Sequence, residues 1–266
     1  TAIDLLEQII PGALEDEAWA EATKAVCLQI VYEDRIQGRS METAITSLQE
    51  ELATAPEAMK PVMEAILGHW FWNYFNANRY RFLQRTASGE ASGEDFTTWD
   101  LARILDEIDA HFTAALANAE QLQAIDIAEW DDLLEKGTTP DSYRPTLYDF
   151  LAHDALSFYS AGEQAALGEN AFEILADSPI FAPVAEFLAW EPQTSDTDSV
   201  LLKAIRLYQS LLRFHQDDAD KTAFADADLL RLAFGYNQAV GEKDDLYMAA
   251  MERFANDWKG NEIAAR

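Results

Sequence analysis

Acid–base or metal chemistry in this chain would most readily use one of its four histidines. These are His69, His111, His153 and His215. His153 directly precedes Asp154 on a stretch with helical periodicity, so the two side chains are candidate metal ligands or proton carriers. A metal site needs several converging ligands with supporting groups around them. The simpler interpretation is that His153 forms a hydrogen bond where two helices meet, while Asp154 is solvated.

The His-Asp pair resembles the central dipeptide of the metal-dependent phosphohydrolases of the HD class. In that interpretation His111 or His69 would be the upstream ligand, and Asp196 or Asp198 the downstream one. A diiron site in a helix bundle is excluded, because no histidine follows a glutamate by three positions, as that site requires.

Two acidic runs could attract a divalent cation. Residues 131–135 read DDLLE and resemble the aspartate-rich magnesium motif of terpenoid synthases, but no second such motif is present. Residues 217–220 read DDAD without EF-hand spacing, and they fall where they can cap the following helix. In a chain this acidic, composition alone produces such runs, so solvated faces are favoured for both.

Nucleophile and nucleotide motifs are missing from the sequence. It has no Gly-x-Ser-x-Gly elbow, no Walker loop and no Rossmann fingerprint. Cys27 is the single cysteine and lies on an amphipathic helical run, which favours a small buried side chain. The aromatic run at 70–80 could line a ligand cavity but is more typical of a core. We therefore expect no enzyme activity, and no catalytic, cofactor-binding or metal-ligating residue is assigned.

Composition limits the possible partners. The 266 residues are 49% hydrophobic, and 48 acidic against 19 basic residues give a net charge of −29. Such a polyanion is repelled by phosphate backbones and anionic membrane surfaces, so nucleic-acid binding is excluded as a favoured function. No apolar run is long enough for a transmembrane helix, and no membrane insertion by this chain is expected.

The elements that would position these residues are predicted to be helices throughout, and the fold class is all-α. Predicted helices cover 2–10, 14–37, 40–53, 62–85, 97–116, 125–135, 145–159, 199–215, 222–240 and 244–259. Pro11-Gly12 is expected to separate the first two helices, and Thr97 or Thr98 to cap the fifth. Residues 86–94 are the clearest loop.

The polar segment at 193–198 is the best candidate for an internal boundary. It divides the chain into a multi-helix domain at 1–195 and a segment of helical hairpins at 196–266. The last three helices have similar lengths and loosely resemble tetratricopeptide hairpins. The two parts could also pack as one continuous helical unit.

Residues 144–159 form the most distinctive motif, RPTLYDFLAHDALSFY. With FTTWD at 96–100, LYQSLLRFH at 207–215, DADLLRL at 226–232 and LYMAAM at 246–251, it resembles the N-terminal helical region of large bacterial alpha-2-macroglobulin-like proteins. The likeness spans roughly 20–260. The residues that carry it are typical of helix packing and include no catalytic motif.

The resemblance implies a non-catalytic accessory or interaction region of an envelope protease-trapping protein. Its implied partners are downstream macroglobulin-like domains of the same polypeptide, and an envelope protein could be another. The implied location is periplasmic or exposed at the cell envelope. The Cys-x-Glu-Gln thioester motif of that family is absent, since Leu28, Gln29 and Ile30 follow Cys27. The alternatives are an HD-type metal-dependent phosphohydrolase and a free-standing helical-repeat scaffold.

The motif helix is also predicted to have a specific packing partner. Its apolar face is expected to contact the aromatic helix at 70–75, because these are the two most apolar helical runs. That face comprises Leu147, Phe150, Leu151 and Phe158. Tyr148 and His153 would satisfy polar groups at the seam.

Overall fold

The structure, a computed structural model, describes residues 2–38, 40–84, 93, 95–135, 137–161 and 171–265. It confirms the all-α prediction, because it is 72% helical and the described residues form no β-strand. The α-helices are α1 Ala2–Glu15, α2 Trp19–Gln37, α3 Met41–Thr54, α4 Lys60–Gln84, α5 Leu101–Ala115, α6 Ala119–Gln123, α7 Leu147–Ser160, α8 Val184–Ala189, α9 Val200–His215, α10 Thr222–Gln238 and α11 Asp244–Asp257. Short 3-10 turns cover Phe96–Thr98, Ile127–Trp130, Asp141–Tyr143, Pro179–Phe181 and Glu262–Ala265. The predicted loop at 86–94 lies almost wholly outside the described residues.

The chain divides into two compact units. The first comprises Thr1–Thr139 and Thr146–Leu151, and the second Pro140–Pro145 and Ala152–Arg266. Helix α7 therefore begins in the first unit and continues in the second. This division differs from the sequence-based boundary at 195, which stays a prediction.

Helix α1 runs through Pro11 to Glu15, where the sequence predicted a break at Pro11-Gly12. Proline removes one backbone donor but its φ is compatible with a helix, so the helix tolerates it at this exposed position. The turn to α2 comes later and places Glu17 at φ 55°, in the left-handed region. Helix α2 ends at Gly38 as predicted, with a φ of 62°.

Aromatic side chains form the core between α4 and α5. Phe71 is fully buried. Its ring centroid lies 5.2 Å from that of Phe96, 6.2 Å from that of Trp99 and 5.4 Å from that of His111. The main partners of the aromatic helix are thus α5 and α3. The predicted contact between this helix and the apolar face of the motif helix stays a prediction.

Two predicted helix starts were displaced. Asp100, not Thr97 or Thr98, caps α5, since its carboxylate accepts the Arg103 N–H at 2.9 Å. Both threonines lie in the preceding 3-10 turn, whose cap is Asp95. The helix predicted at 125–135 is reduced to the 3-10 turn Ile127–Trp130, and the short helix α6 precedes that range.

Helix α7 begins with a reciprocal cap. The Thr146 N–H and hydroxyl both donate to Asp149 Oδ2, at 3.0 and 2.7 Å, while the Asp149 N–H lies 3.3 Å from Thr146 Oγ1. This arrangement satisfies backbone donors that a helix start leaves free. Most of the predicted apolar positions are buried, but Phe150 is only half-buried.

The second unit is centred on α9 and α10, which pack on each other, while α11 packs on α10. Consecutive packing of these three helices agrees with the predicted hairpins. Gly235 of α10 lets the turn Pro179–Phe181 approach closely, since a Cβ there would lie 2.6 Å from Ile180 Cγ1. In the part of the chain that the structure describes, no helix combines the length and apolarity needed to cross a bilayer.

Candidate functional site

The polar side chains at the start of the motif bind within the chain. Arg144 Nη1 donates to Asp226 Oδ2 at 2.5 Å and to the Tyr143 carbonyl at 2.5 Å. Asp226 is 3% exposed, so this ion pair is largely removed from water. The Tyr143 hydroxyl donates to Glu262 Oε1 at 2.8 Å, which connects residues 119 positions apart. These bonds anchor the segment that leads into α7.

His153, the sharpest sequence candidate, lies in this buried polar region of the second unit. Burial lowers its pKa well below the usual value, and the nearby charges of Arg144 and His215 lower it further. A neutral imidazole is therefore favoured at physiological pH. Burial also raises the pKa of Tyr208 above its ordinary value. Both groups are tuned to stay uncharged, which suits a buried polar core.

His215 is the C-terminal residue of α9 and is 1% exposed. Its Nδ1 lies 2.6 Å from Asp218 Oδ2, three residues further on. In the same acidic turn, Asp220 Oδ1 accepts the Thr222 N–H at 2.9 Å and the Thr222 hydroxyl at 2.6 Å. These bonds lower the pKa of Asp220. The run at 217–220 thus serves the start of α10, as the sequence predicted for a capping turn.

The other two histidines belong to the first unit. His111 Nδ1 lies 2.6 Å from Glu64 Oε2, and its Nε2 lies 3.7 Å from Glu107 Oε1. The His69 ring stacks on Trp72 and meets Phe112 edge-on, with centroids 6.2 and 5.5 Å apart. Both imidazoles are thus part of the contact between α4 and α5.

The ligands considered for an HD-type site have separate structural settings. His69 and His111 are in the first unit, whereas His153, Asp196 and Asp198 are in the second. Asp196 Oδ2 accepts the Phe172 N–H at 3.0 Å, and Asp198 is exposed. Among the described residues, no three His, Cys, Asp or Glu side chains converge to hold a metal ion.

The acidic run at 131–135 lies at the surface of the first unit. Asp131, Asp132 and Glu135 are exposed. The backbone carbonyl of Asp132 accepts a hydrogen bond from Lys24 Nζ at 2.6 Å. This contact ties the run to α2.

Cys27 has the environment of a structural thiol. Burial raises the pKa of the Cys27 thiol to about 12, so little thiolate forms at neutral pH. A thiol of this kind is a poor nucleophile and a poor metal ligand.

Sequence reasoning missed the buried Arg231. Its guanidinium pairs with Asp228 and donates to the carbonyls of Ile180 and Ala182 at 2.8 and 2.9 Å. It also lies over the Phe187 ring, 4.7 Å from the centroid. An arginine three residues after an aspartate on the apolar face of α10 was the available signal.

In the comparisons with known proteins, no family model, no curated protein and no solved structure matches the chain. The resemblance to alpha-2-macroglobulin-like proteins therefore stays a hypothesis carried by the sequence motifs.

Proposed function

We propose that this chain is a non-catalytic helical accessory and interaction region, positioned at the N-terminus of an alpha-2-macroglobulin-like envelope protein. The motifs at 96–100, 144–159, 207–215, 226–232 and 246–251 support the assignment, as does the all-helical fold. The high negative charge favours protein partners over nucleic acids or anionic membrane surfaces.

The observation that carries the non-catalytic part is the use of the motif's own polar groups. Arg144 neutralises Asp226, and Thr146 and Asp149 cap each other at the start of α7. His153 is held neutral by burial. Because these groups satisfy one another inside the fold, they stabilise a buried helix instead of presenting reactive atoms to a substrate.

The accessory role is tested by finding the native polypeptide. An antiserum raised against this chain, applied to fractionated cells of the source organism, should detect a much larger polypeptide in the envelope fraction. Mass spectrometry of that band should give peptides from β-rich sequence beyond the helical region. A band near 29.8 kDa in the cytosolic fraction would reject the proposal in favour of the free-standing scaffold.

The non-catalytic part has its own test. Purified protein incubated with Mn²⁺ and bis(p-nitrophenyl) phosphate should release nitrophenol at the rate of the buffer blank. Hydrolysis that is lost in the His153→Ala variant but kept in the His69→Ala variant would establish a phosphodiesterase centred on His153.

A further inference from the structure

An open cavity of about 520 Å³ lies in the second unit, between the segments at 171–179 and 190–194. Its apolar lining includes Phe172, Leu175 and Trp190, and its polar lining includes Glu173, Asp177 and Ser178. The volume falls within the range of about 300–1,000 Å³ that is usual for small-molecule sites. The cavity shares no residue with the His153 region described above.

Hydrogen bonds hold the walls of this cavity in place. Gln209 Nε2 donates to the carbonyls of Phe187 and Trp190, both at 2.8 Å, and Gln209 itself is 5% exposed. The Phe172 N–H donates to Asp196 Oδ2 at 3.0 Å, which ties the first segment to the chain just beyond the second. The Ala176 N–H donates to the Val240 carbonyl at 2.9 Å. The lining is therefore preorganised, which reduces the entropy lost when a ligand binds.

Charge selects the kind of ligand. The lining residues include the exposed carboxylates of Glu173 and Asp177 and, in the described part of the chain, no lysine or arginine. Basic residues nearby donate to backbone carbonyls instead: Arg213 to Leu188 and Arg253 to Phe181, both at 2.7 Å. Aromatic rings beside carboxylates favour an organic cation, and the charge of −29 raises its local concentration.

We propose that this cavity binds a small organic ammonium ion with an apolar body. The apolar body contacts Phe172 and Trp190, while Glu173 and Asp177 balance the charge. This inference is independent of the proposed accessory function, because it concerns a different part of the fold and needs no downstream domain.

Calorimetric titration of the purified chain with 2-phenylethylamine and its neutral analogue 2-phenylethanol tests the charge requirement. We expect the amine to bind and the alcohol to bind at least about threefold more weakly, since one exposed ion pair is worth up to about fivefold in affinity and two carboxylates face the charge. The Glu173→Gln/Asp177→Asn variant should raise the dissociation constant for the amine about threefold or more. The Glu186→Gln/Glu252→Gln variant carries the same change in net charge outside the two cavity segments and should bind like the parent.

Four results would overturn the proposal. The first is equal binding of the amine and the alcohol, and the second is an equal increase in the dissociation constant in the two double variants. The third is no detectable binding at about 10 mM amine, which means a dissociation constant too high for a specific site. The fourth is tighter binding of a lysine-containing peptide than of the amine, which would assign the cavity to a protein partner. All substituted side chains are exposed, so the variants are expected to fold, and circular dichroism checks this.

Discussion

Arg231 has none of its surface exposed and keeps its charge by binding Asp228 and two backbone carbonyls. Removing one partner of a buried pair leaves the other charge desolvated. We expect Arg231→Ala to lower the free energy of unfolding by about 3–5 kcal/mol, measured by urea denaturation. The stability of Arg231→Lys should lie between that of Arg231→Ala and that of the parent, because a single ammonium group cannot reproduce the hydrogen bonds of a planar guanidinium.

The matched control is Arg206→Ala on the exposed face of α9, which should stay within about 0.5 kcal/mol of the parent. An Arg231→Ala protein as stable as the Arg206→Ala protein would mean that the buried pair contributes nothing.

His153 makes stability depend on pH in a defined direction. Its pKa is lowered in the folded protein, whereas in the unfolded chain it is about 6.5. Below that pH the imidazole of His153 is protonated in the unfolded chain but stays neutral in the folded protein. The free energy of unfolding should therefore fall as pH drops below about 6.5, by at most about 1.4 kcal/mol per pH unit from this residue, and level off below the folded-state pKa.

The comparison that isolates this effect is His153→Gln, followed by urea denaturation between about pH 7.5 and pH 5. Its stability should change less steeply with pH than that of the parent. If the free energies of unfolding of the variant and the parent fall in parallel as pH decreases, the carboxylates and not His153 cause the loss of stability at low pH.

At the scale of single helices, the same substitution should have opposite effects at two glycines. Gly12 is exposed in α1, and a Cβ there meets no atom within 4 Å, so Gly12→Ala should stabilise by about 1 kcal/mol. A Cβ at Gly235 would lie 2.6 Å from Ile180 Cγ1, and Gly235→Ala should destabilise by about 1–3 kcal/mol. Melting temperatures measure both. A stabilised Gly235→Ala protein would show that the turn at Pro179–Phe181 yields easily.

Helix identity could be read from the sequence where periodicity and caps agree. The last three helices lie within two residues of their predicted bounds, and Gly38 ends α2 as expected. Starts were displaced where several capping residues follow one another, because Thr97, Thr98 and Asp100 are all suitable. Packing partners could not be predicted from the sequence, since the packing of α5 on α4 depends on the complementary shapes of their side chains.

Local spacing explains how much of the polar network was predictable. The Asp228–Arg231 pair is three residues apart and detectable in the sequence. The carbonyls that complete it, from Ile180 and Ala182, lie 51 and 49 positions away and become partners only after folding. Likewise Arg144 meets Asp226 across 82 positions.

The whole chain carries a charge of −29, which should oppose compaction through self-repulsion. Salt shortens the Debye length from about 30 Å at 0.01 M to about 3 Å at 1 M. We expect the melting temperature to rise by several degrees when NaCl increases over this range, since 1 kcal/mol corresponds to about 2–4 °C in proteins of 150–250 residues.

Magnesium chloride at equal ionic strength should give a similar increase if screening is the cause. A melting temperature that is unchanged or lower in NaCl would mean that the acidic residues are already compensated within the fold. A much larger increase with magnesium would instead indicate specific cation binding.

Residues 140–145 and 146–151 belong to opposite units, so the backbone passes from one unit to the other three times within a dozen residues. A gene divided at any single codon between 139 and 152 would leave at least one unit without a segment of its own chain. Only overlapping fragments, 1–151 and 140–266, contain a complete first and a complete second unit. The coding sequences of the two units therefore alternate along the gene. Recombination that exchanges one uninterrupted block of sequence cannot transfer either complete unit without also transferring part of the other.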